Sequence, residues 1–293
     1  MAVTVGLAGA GHRATDLYAP ALASCLGARF AGIWVPRAQA AAPLAEKHGV
    51  IAYERFEQFL DHCDAVVFAV PPAAQPDLAG AAARRGKAVL LEVPIAVDVT
   101  GAKVLADTAT AAHAVTQIAL TWRYASAVRT FLGSSVPRIW PMGASARLIS
   151  ADLAPGPTAR PWRAEMGVLL SLGPHLIDLL DAALGRVGEV RAHGDPRGWV
   201  GMQLEHSDGR FSEVSLTAAA GAETPRADVE VFGSGGEAAI ECEAAARHDA
   251  VETMVSEFVQ AAEADQSHEL DVNRGLHLQR VVSQAGRSLL HAA

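Results

Sequence analysis

The opening of the chain restricts its fold more than any later stretch. Val3 to Ala8 is a short apolar run with β-branched residues that stops at Gly9-Ala10-Gly11, and from His12 onward the residues take up helical spacing. The order is strand, tight turn, helix, and it then repeats. Arg29–Val35 reads as a second strand, residues 38–49 as a helix ending at Gly49, and Ala65–Val70 as a buried strand closed by Pro71-Pro72. A helix over 76–86, a strand over 88–93 and a helix over 99–114 continue the alternation. Continuous apolar strands separated by helices imply a parallel sheet covered on both faces, because a one-sided sheet would alternate apolar with polar residues.

The pattern changes near Gly133. Residues 138–153, 189–195, 198–206, 211–220, 227–233 and 236–243 read as strands joined by Gly, Asp and Pro turns, which favours an antiparallel sheet. Helices are expected over 167–185, before most of these strands, and over 250–265 and 273–292, after them. The expected fold class is therefore α/β. An N-terminal Rossmann-type, doubly wound parallel sheet is joined to a C-terminal α/β domain with a mostly antiparallel open sheet. The expected boundaries are 1–122 and 123–293, with the last helix packing back on the first domain. A chain of 293 residues is long enough for two domains.

Charge and cysteine usage narrow the function classes. The net charge of −8 and the pI near 5.7, without a Lys/Arg-rich run, argue against nucleic acid as a partner. Cys25, Cys63 and Cys242 lie far apart, without C-x-x-C spacing, and the histidines form no H-x-H or H-E-x-x-H cluster, so no metal is expected. The sequence lacks an uninterrupted apolar run of membrane-spanning length, and the N-terminus reads directly into structure without a charged leader. The expectation is a cytoplasmic protein with a small-molecule substrate and no membrane partner.

Gly9-Ala10-Gly11-His12-Arg13-Ala14 fits G-x-G-x-x-(G/A). Its position after a strand and at the start of a helix gives the pattern its weight. Backbone N–H groups and the helix N-terminus then converge on a pyrophosphate, and Ala14 permits close helix–strand packing. A site that prefers NAD usually has a carboxylate about 20 residues further on, to bond the ribose 2′-OH. Here the segment is Ile33-Trp34-Val35-Pro36-Arg37, without an acid, and Arg37 suits a 2′-phosphate. The expected cofactor is NADP or NAD, with NADP favoured.

Four stretches now carry a resemblance: Val5–Ala14, Cys63–Pro72, Gly86–Ala96 and Gly167–Gly185. Together the chain resembles the Gfo/Idh/MocA family of glucose-fructose oxidoreductase and inositol dehydrogenase relatives over nearly its whole length. The resemblance implies an NAD(P)-dependent oxidoreductase acting on a sugar, cyclitol or other small carbonyl or alcohol. It also implies a homodimer or homotetramer built through the C-terminal sheet. Residues His12, Arg13, Pro71, Glu92 and Pro94 join Gly9, Gly11, Ala14 and Arg37 in the expected cofactor-binding set.

In the family a Glu-Lys-Pro lysine lies near the nicotinamide and the reacting hydroxyl, and an aspartate and a histidine of a later motif help take the proton. Here the first motif is Glu92-Val93-Pro94, and Lys87 and Lys103 are the nearest lysines in sequence. The later motif runs from Ser171 through His175 to Asp178, with Ser171 where the family often has Asp. His175 is the candidate acid–base residue, Asp178 its orienting partner and Ser171 a weaker candidate. Arg123, Tyr124 and Trp162 are candidate substrate contacts, and Gln75 stands where the family frequently has a histidine. Valine can neither accept a proton nor stabilise an alkoxide. Two functions thus stay open: an oxidoreductase with an atypical site, and a catalytically impaired nucleotide-binding protein acting as a regulator or partner subunit.

Overall fold

The computed structural model describes residues 2–151, 161–221, 225–246 and 249–291. The chain forms two compact units, one of residues 1–119 with 251–276 and the other of 120–250 with 277–293. The division falls at 119/120 rather than 122/123, and residues 251–276 interrupt the continuous C-terminal domain expected from the sequence.

The first unit holds β1 (Val3–Ala8), β2 (Ala28–Trp34), β3 (Ile51–Tyr53), β4 (Ala65–Phe68), β5 (Ala88–Leu91) and β6 (Thr116–Ile118). Their order is β3-β2-β1-β4-β5-β6, and every neighbouring pair is parallel. β1, β4 and β5 are buried along their whole length, as expected of strands covered on both faces. Around them stand α1 (Ala19–Ser24), α2 (Ala42–His48), α3 (Phe56–Asp61), α4 (Gln75–Arg84) and α5 (Val99–Ala111). α2 ends where Gly49 turns left-handed at φ 65°, and α5 begins at Asp98, whose side chain accepts from Gly101 N at 2.8 Å. The short elements β3, α3 and β6 have no counterpart in the sequence reading.

The edge strand β6 explains why residues 251–276 belong to this unit. Ile118 N donates to Leu270 O at 2.8 Å, Thr116 N to Ser267 Oγ at 3.0 Å, and the Gln117 side chain to Met254 O at 2.9 Å. An unpaired strand edge is a liability, and this later segment covers it.

The second unit contains α6 (Ser126–Thr130), α7 (Val136–Arg138), β7 (Pro141–Ile149), α8 (Pro161–Leu184), β8 (Val187–Gly194), β9 (Trp199–His206) and β10 (Phe211–Thr217). After them come β11 (Arg226–Gly233), β12 (Gly236–Glu241) and α9 (Cys242–Ala245); α10 (Ala250–Ala264) and α11 (Val272–His291) close the chain. The sheet order is β12-β11-β7-β10-β9-β8, antiparallel except for the parallel β7–β10 pair. Burial alternates along β9 and β10, and α8 packs against β7, β9 and β10. The strand expected through Glu243 stops at Glu241, because the Glu241 carboxylate accepts from Glu243 N and Ala244 N and so caps α9.

α8 is not a single regular helix. Gly167 has φ 71° and ψ 172°, and the next residue, Val168, donates its N–H to Pro196 O at 2.9 Å. The positive φ calls for glycine, and a Cβ at Gly167 would in addition crowd that same oxygen at 3.1 Å. Pro174, inside the helix, removes one backbone hydrogen bond immediately before His175. The stretch Met166–Leu184 is long and apolar enough to cross a membrane by length and composition, but 72% of its most apolar window is buried inside the protein.

Candidate functional site

In the first unit the strand order reverses between β1 and β4, and ligands of open parallel sheets bind at that point, beyond the carboxyl ends of the strands. The glycine loop leaves β1 there. Gly9 has φ 131°, and a Cβ on it would stand 2.3 Å from Ala69 O at the end of β4. Only glycine lets the two strand ends approach so closely. Gly11 is exposed, helical backbone begins at His12, and Ala14 is fully buried. Bare backbone at the opening of a helix fits the pyrophosphate of a dinucleotide. His12 and Asp16, one turn apart, pair at 3.1 Å on the exposed side.

Arg13 points elsewhere. Its Nε donates to Glu92 Oε1, and the Tyr18 hydroxyl donates to the same oxygen at 2.7 Å. Residues five apart lie about 1.4 turns apart on an α-helix. Here Ala14–Tyr18 is a π-helical turn in which Ala19 N bonds Ala14 O, so five residues close about one turn and bring Tyr18 to the face of Arg13. Burial above all, then the Glu92 charge, pushes the Tyr18 phenol well above its ordinary range and keeps it a donor. Burial works against the Arg13 charge, but Glu92 and Tyr18 outweigh it and hold the guanidinium protonated.

Gln75 fixes the motif from behind. It is fully buried; its Oε1 accepts from Glu92 N at 2.8 Å, and its Nε2 donates to Glu92 O at 2.9 Å and Ile95 O at 3.2 Å. A residue that marks a departure from the family in sequence is thus the bracket for Glu92-Val93-Pro94 in structure. Pro71 is exposed after β4, Val93 is half-buried and Pro94 is buried. Arg37 is exposed, three residues past the end of β2, and Trp34 ends that strand with its indole Nε1 buried and without a hydrogen-bond partner.

In the second unit a short 3₁₀ turn, Thr121–Tyr124, presents two side chains to successive turns of α8. The Trp122 ring lies 5.3 Å from the half-buried His175 ring, tilted by 55°. Arg123 Nη1 donates to Asp178 Oδ2 at 3.1 Å. Tyr124 is buried, with the Arg129 guanidinium 5.7 Å from its ring centre. One turn before His175, Ser171 Oγ is buried without a partner, and so is Thr121 Oγ1. Trp162 falls in the first turn of α8, and its side chain lies outside the described residues. A second histidine–carboxylate pair, His277 with Asp181 at 2.7 Å, is buried in the same unit, and Asp181 also accepts from Val187 N at 2.6 Å.

Residues 3–120 match the sequence profile of the Gfo/Idh/MocA group, described as an oxidoreductase family with an NAD-binding Rossmann fold. That segment belongs to this family. By this domain the chain ranks with the NAD-dependent oxidoreductases. No curated protein matches it in sequence. Among solved structures it is similar to GenD2 of gentamicin A biosynthesis, in complex with NAD, at 17% identity and a TM-score of 0.87, covering 99% of this chain and 95% of that one. UDP-N-acetylglucosamine 3-dehydrogenase GnnA from Acidithiobacillus ferrooxidans is similar at 19% identity and a TM-score of 0.87, covering 99% and 98%. A putative myo-inositol dehydrogenase from Sinorhizobium meliloti 1021 follows at 20%, with a TM-score of 0.85 and the same coverage. At such identities these likenesses show the fold.

Within the Gfo/Idh/MocA-type domain, the sequence reading missed Tyr18 and the bracket made by Gln75. Tyr18 is off the helical face of Arg13 by ordinary spacing, and only the π-helical turn brings the two together. The buried glutamine is separated by 17 residues from the backbone it holds.

Proposed function

We propose that this protein is an NAD(P)-dependent oxidoreductase acting on a sugar, cyclitol or other small carbonyl or alcohol substrate. The observation that carries the reading is the glycine loop of a matched NAD-binding domain at the reversal of a β3-β2-β1-β4-β5-β6 sheet. The nicotinamide nucleotide supplies the hydride chemistry. Gly9, Gly11, His12 and Pro71 line its seat, the buried Ala14 lets the helix pack close behind it, and Arg37 meets a 2′-phosphate, which gives NADP the preference. His175 serves as the acid–base group, with Asp178 and Ser171 on its helix. Arg123, tied to Asp178, and the buried Tyr124 hold the turn beside His175, and Trp162 serves the substrate side.

Three free thiols, two of them buried, accord with a cytoplasmic location. A homodimer or homotetramer through the second sheet is supported by its exposed apolar side chains: Met142 at 66%, Phe211 at 58%, Trp199 at 49% and Phe232 at 44% exposure. Phe211 and Phe232 flank Gly143 in register across three adjacent strands. Sedimentation of the wild type against Phe211→Glu tests it, the substitution being expected to yield monomers.

The deciding experiment is a titration with NADPH and NADH in both redox forms, read by ligand fluorescence and tryptophan quenching. Binding with NADPH favoured, and loss of that preference in Arg37→Ser, is the expected result. Failure to bind any form overturns the reading. Once a substrate is found, His175→Ala is expected to lower kcat by about 10²–10⁴ while nucleotide affinity holds. Val93 favours the second reading, a nucleotide-binding regulator or partner subunit, and nucleotide binding without turnover on any carbonyl or polyol would select it.

A further inference from the structure

The first unit sets a permanent cation beside a motif whose own central residue, Val93, has no charge. Arg13 starts from the helix that follows the glycine loop after β1, and Glu92, which receives it, follows β5. β4 lies between those two strands in the sheet, so the guanidinium spans the carboxyl end of β4, in the crevice where such sheets hold ligands. The adenosine ribose of a dinucleotide is met at the end of β2, on the opposite side of β1. Arg13 therefore leans toward the nicotinamide half.

Its orientation is fixed on several sides. Nε is held by Glu92, Nη2 stands 3.4 Å from the Tyr18 hydroxyl, and the guanidinium lies 5.7 Å from the Tyr18 ring centre. None of these contacts uses Nη1, and about a third of the side chain remains exposed (32%). A planar cation with one edge locked and another open is a preorganised donor.

We propose that Arg13 is the positive charge this protein sets at the nicotinamide end of the bound nucleotide, doing the work of a cation that position 93 lacks. The inference rests on the NAD(P) reading above. The oxidised nicotinamide ring is cationic and the reduced ring neutral, so a fixed guanidinium nearby disfavours the oxidised form. The same charge suits carbonyl reduction. In such a reduction the reduced nucleotide would supply the hydride and water the proton, and the open Nη1 of Arg13 would donate to the carbonyl oxygen as negative charge gathers on it. Glu92 and Tyr18 act as positioning residues for the arginine.

The test needs no substrate. It is the ratio of Kd for NADP⁺ to Kd for NADPH, by calorimetry, in the wild type, Arg13→Met, Arg13→Lys and Glu92→Gln, with folding checked by circular dichroism. Arg13→Met is expected to lower the ratio by about fivefold or more. Arg13→Lys keeps it near the wild-type value, and Glu92→Gln raises it by leaving the cation uncompensated. A ratio unmoved in Arg13→Met, with both forms still bound, overturns the inference and leaves the NAD(P) reading intact. Should Arg13→Met not fold, an unmoved ratio in Glu92→Gln overturns it equally. Failure of the wild type to bind either form removes the NAD(P) reading, and the inference with it.

Discussion

Arg13–Glu92 in the first unit and Arg123–Asp178 in the second are both arginine–carboxylate pairs, and the two differ in enclosure. In the second unit the Asp178 side chain is 1% exposed and that of Arg123 is 16% exposed. In the first, Glu92 is 12% and Arg13 32% exposed, and a tyrosine joins them. The enclosed pair ties the 3₁₀ turn at Thr121–Tyr124 to α8 and so fixes Trp122 against His175. The more open pair spends its carboxylate on orienting a guanidinium whose outer edge stays available. The same two functional groups thus make a structural tie or a displayed charge, according to how much water each retains.

The comparison breaks most sharply at Asp178. Asp178→Ala is expected to destabilise the protein by about 3–5 kcal/mol in urea unfolding, because it leaves the Arg123 charge enclosed beside an emptied site. Gln75→Leu comes next, at about 2–3 kcal/mol, since Glu92 N and the carbonyls behind it lose their partner in a buried place. Tyr18→Phe sharpens the contrast at about 1 kcal/mol, with the Arg13–Glu92 contact retained and nucleotide affinity the second readout. The smallest effect is at the thiols. Burial pushes both Cys63 and Cys242, one in each unit, to about 12. At pH 8 only about one part in 10⁴ of either is thiolate, so mass spectrometry after brief alkylation of the native protein should show neither modified.

Much of the first unit was legible in sequence because its signals are local. Val3–Ala8 falls at the expected residues, and the glycine loop follows it as the strand–turn–helix pattern required. Short elements were not legible: β3 and β6 have three residues each, fewer than a periodicity needs to show. The second unit was read correctly as mostly antiparallel, but the parallel β7–β10 pair was invisible, since no pattern along one strand records the direction of its neighbour. The helices over 250–265 and 273–292 were legible, but the hydrogen bonds by which residues 251–276 cover the edge of β6 were not, because they join residues about 150 apart in sequence.

By itself, then, the sequence determined the alternation of strand and helix, the glycine turn that Ala69 makes obligatory, and the neutrality of position 93. Tertiary structure decided which charge stands next to that position. Arg13 and Glu92 are 79 residues apart, and they meet because β1 and β5 flank β4 and because a π-helical turn swings Tyr18 to complete the set. Helix and strand patterns report neighbours within a turn or two of chain. Pairing across the mouth of a sheet depends on strand order, which only the assembled core specifies.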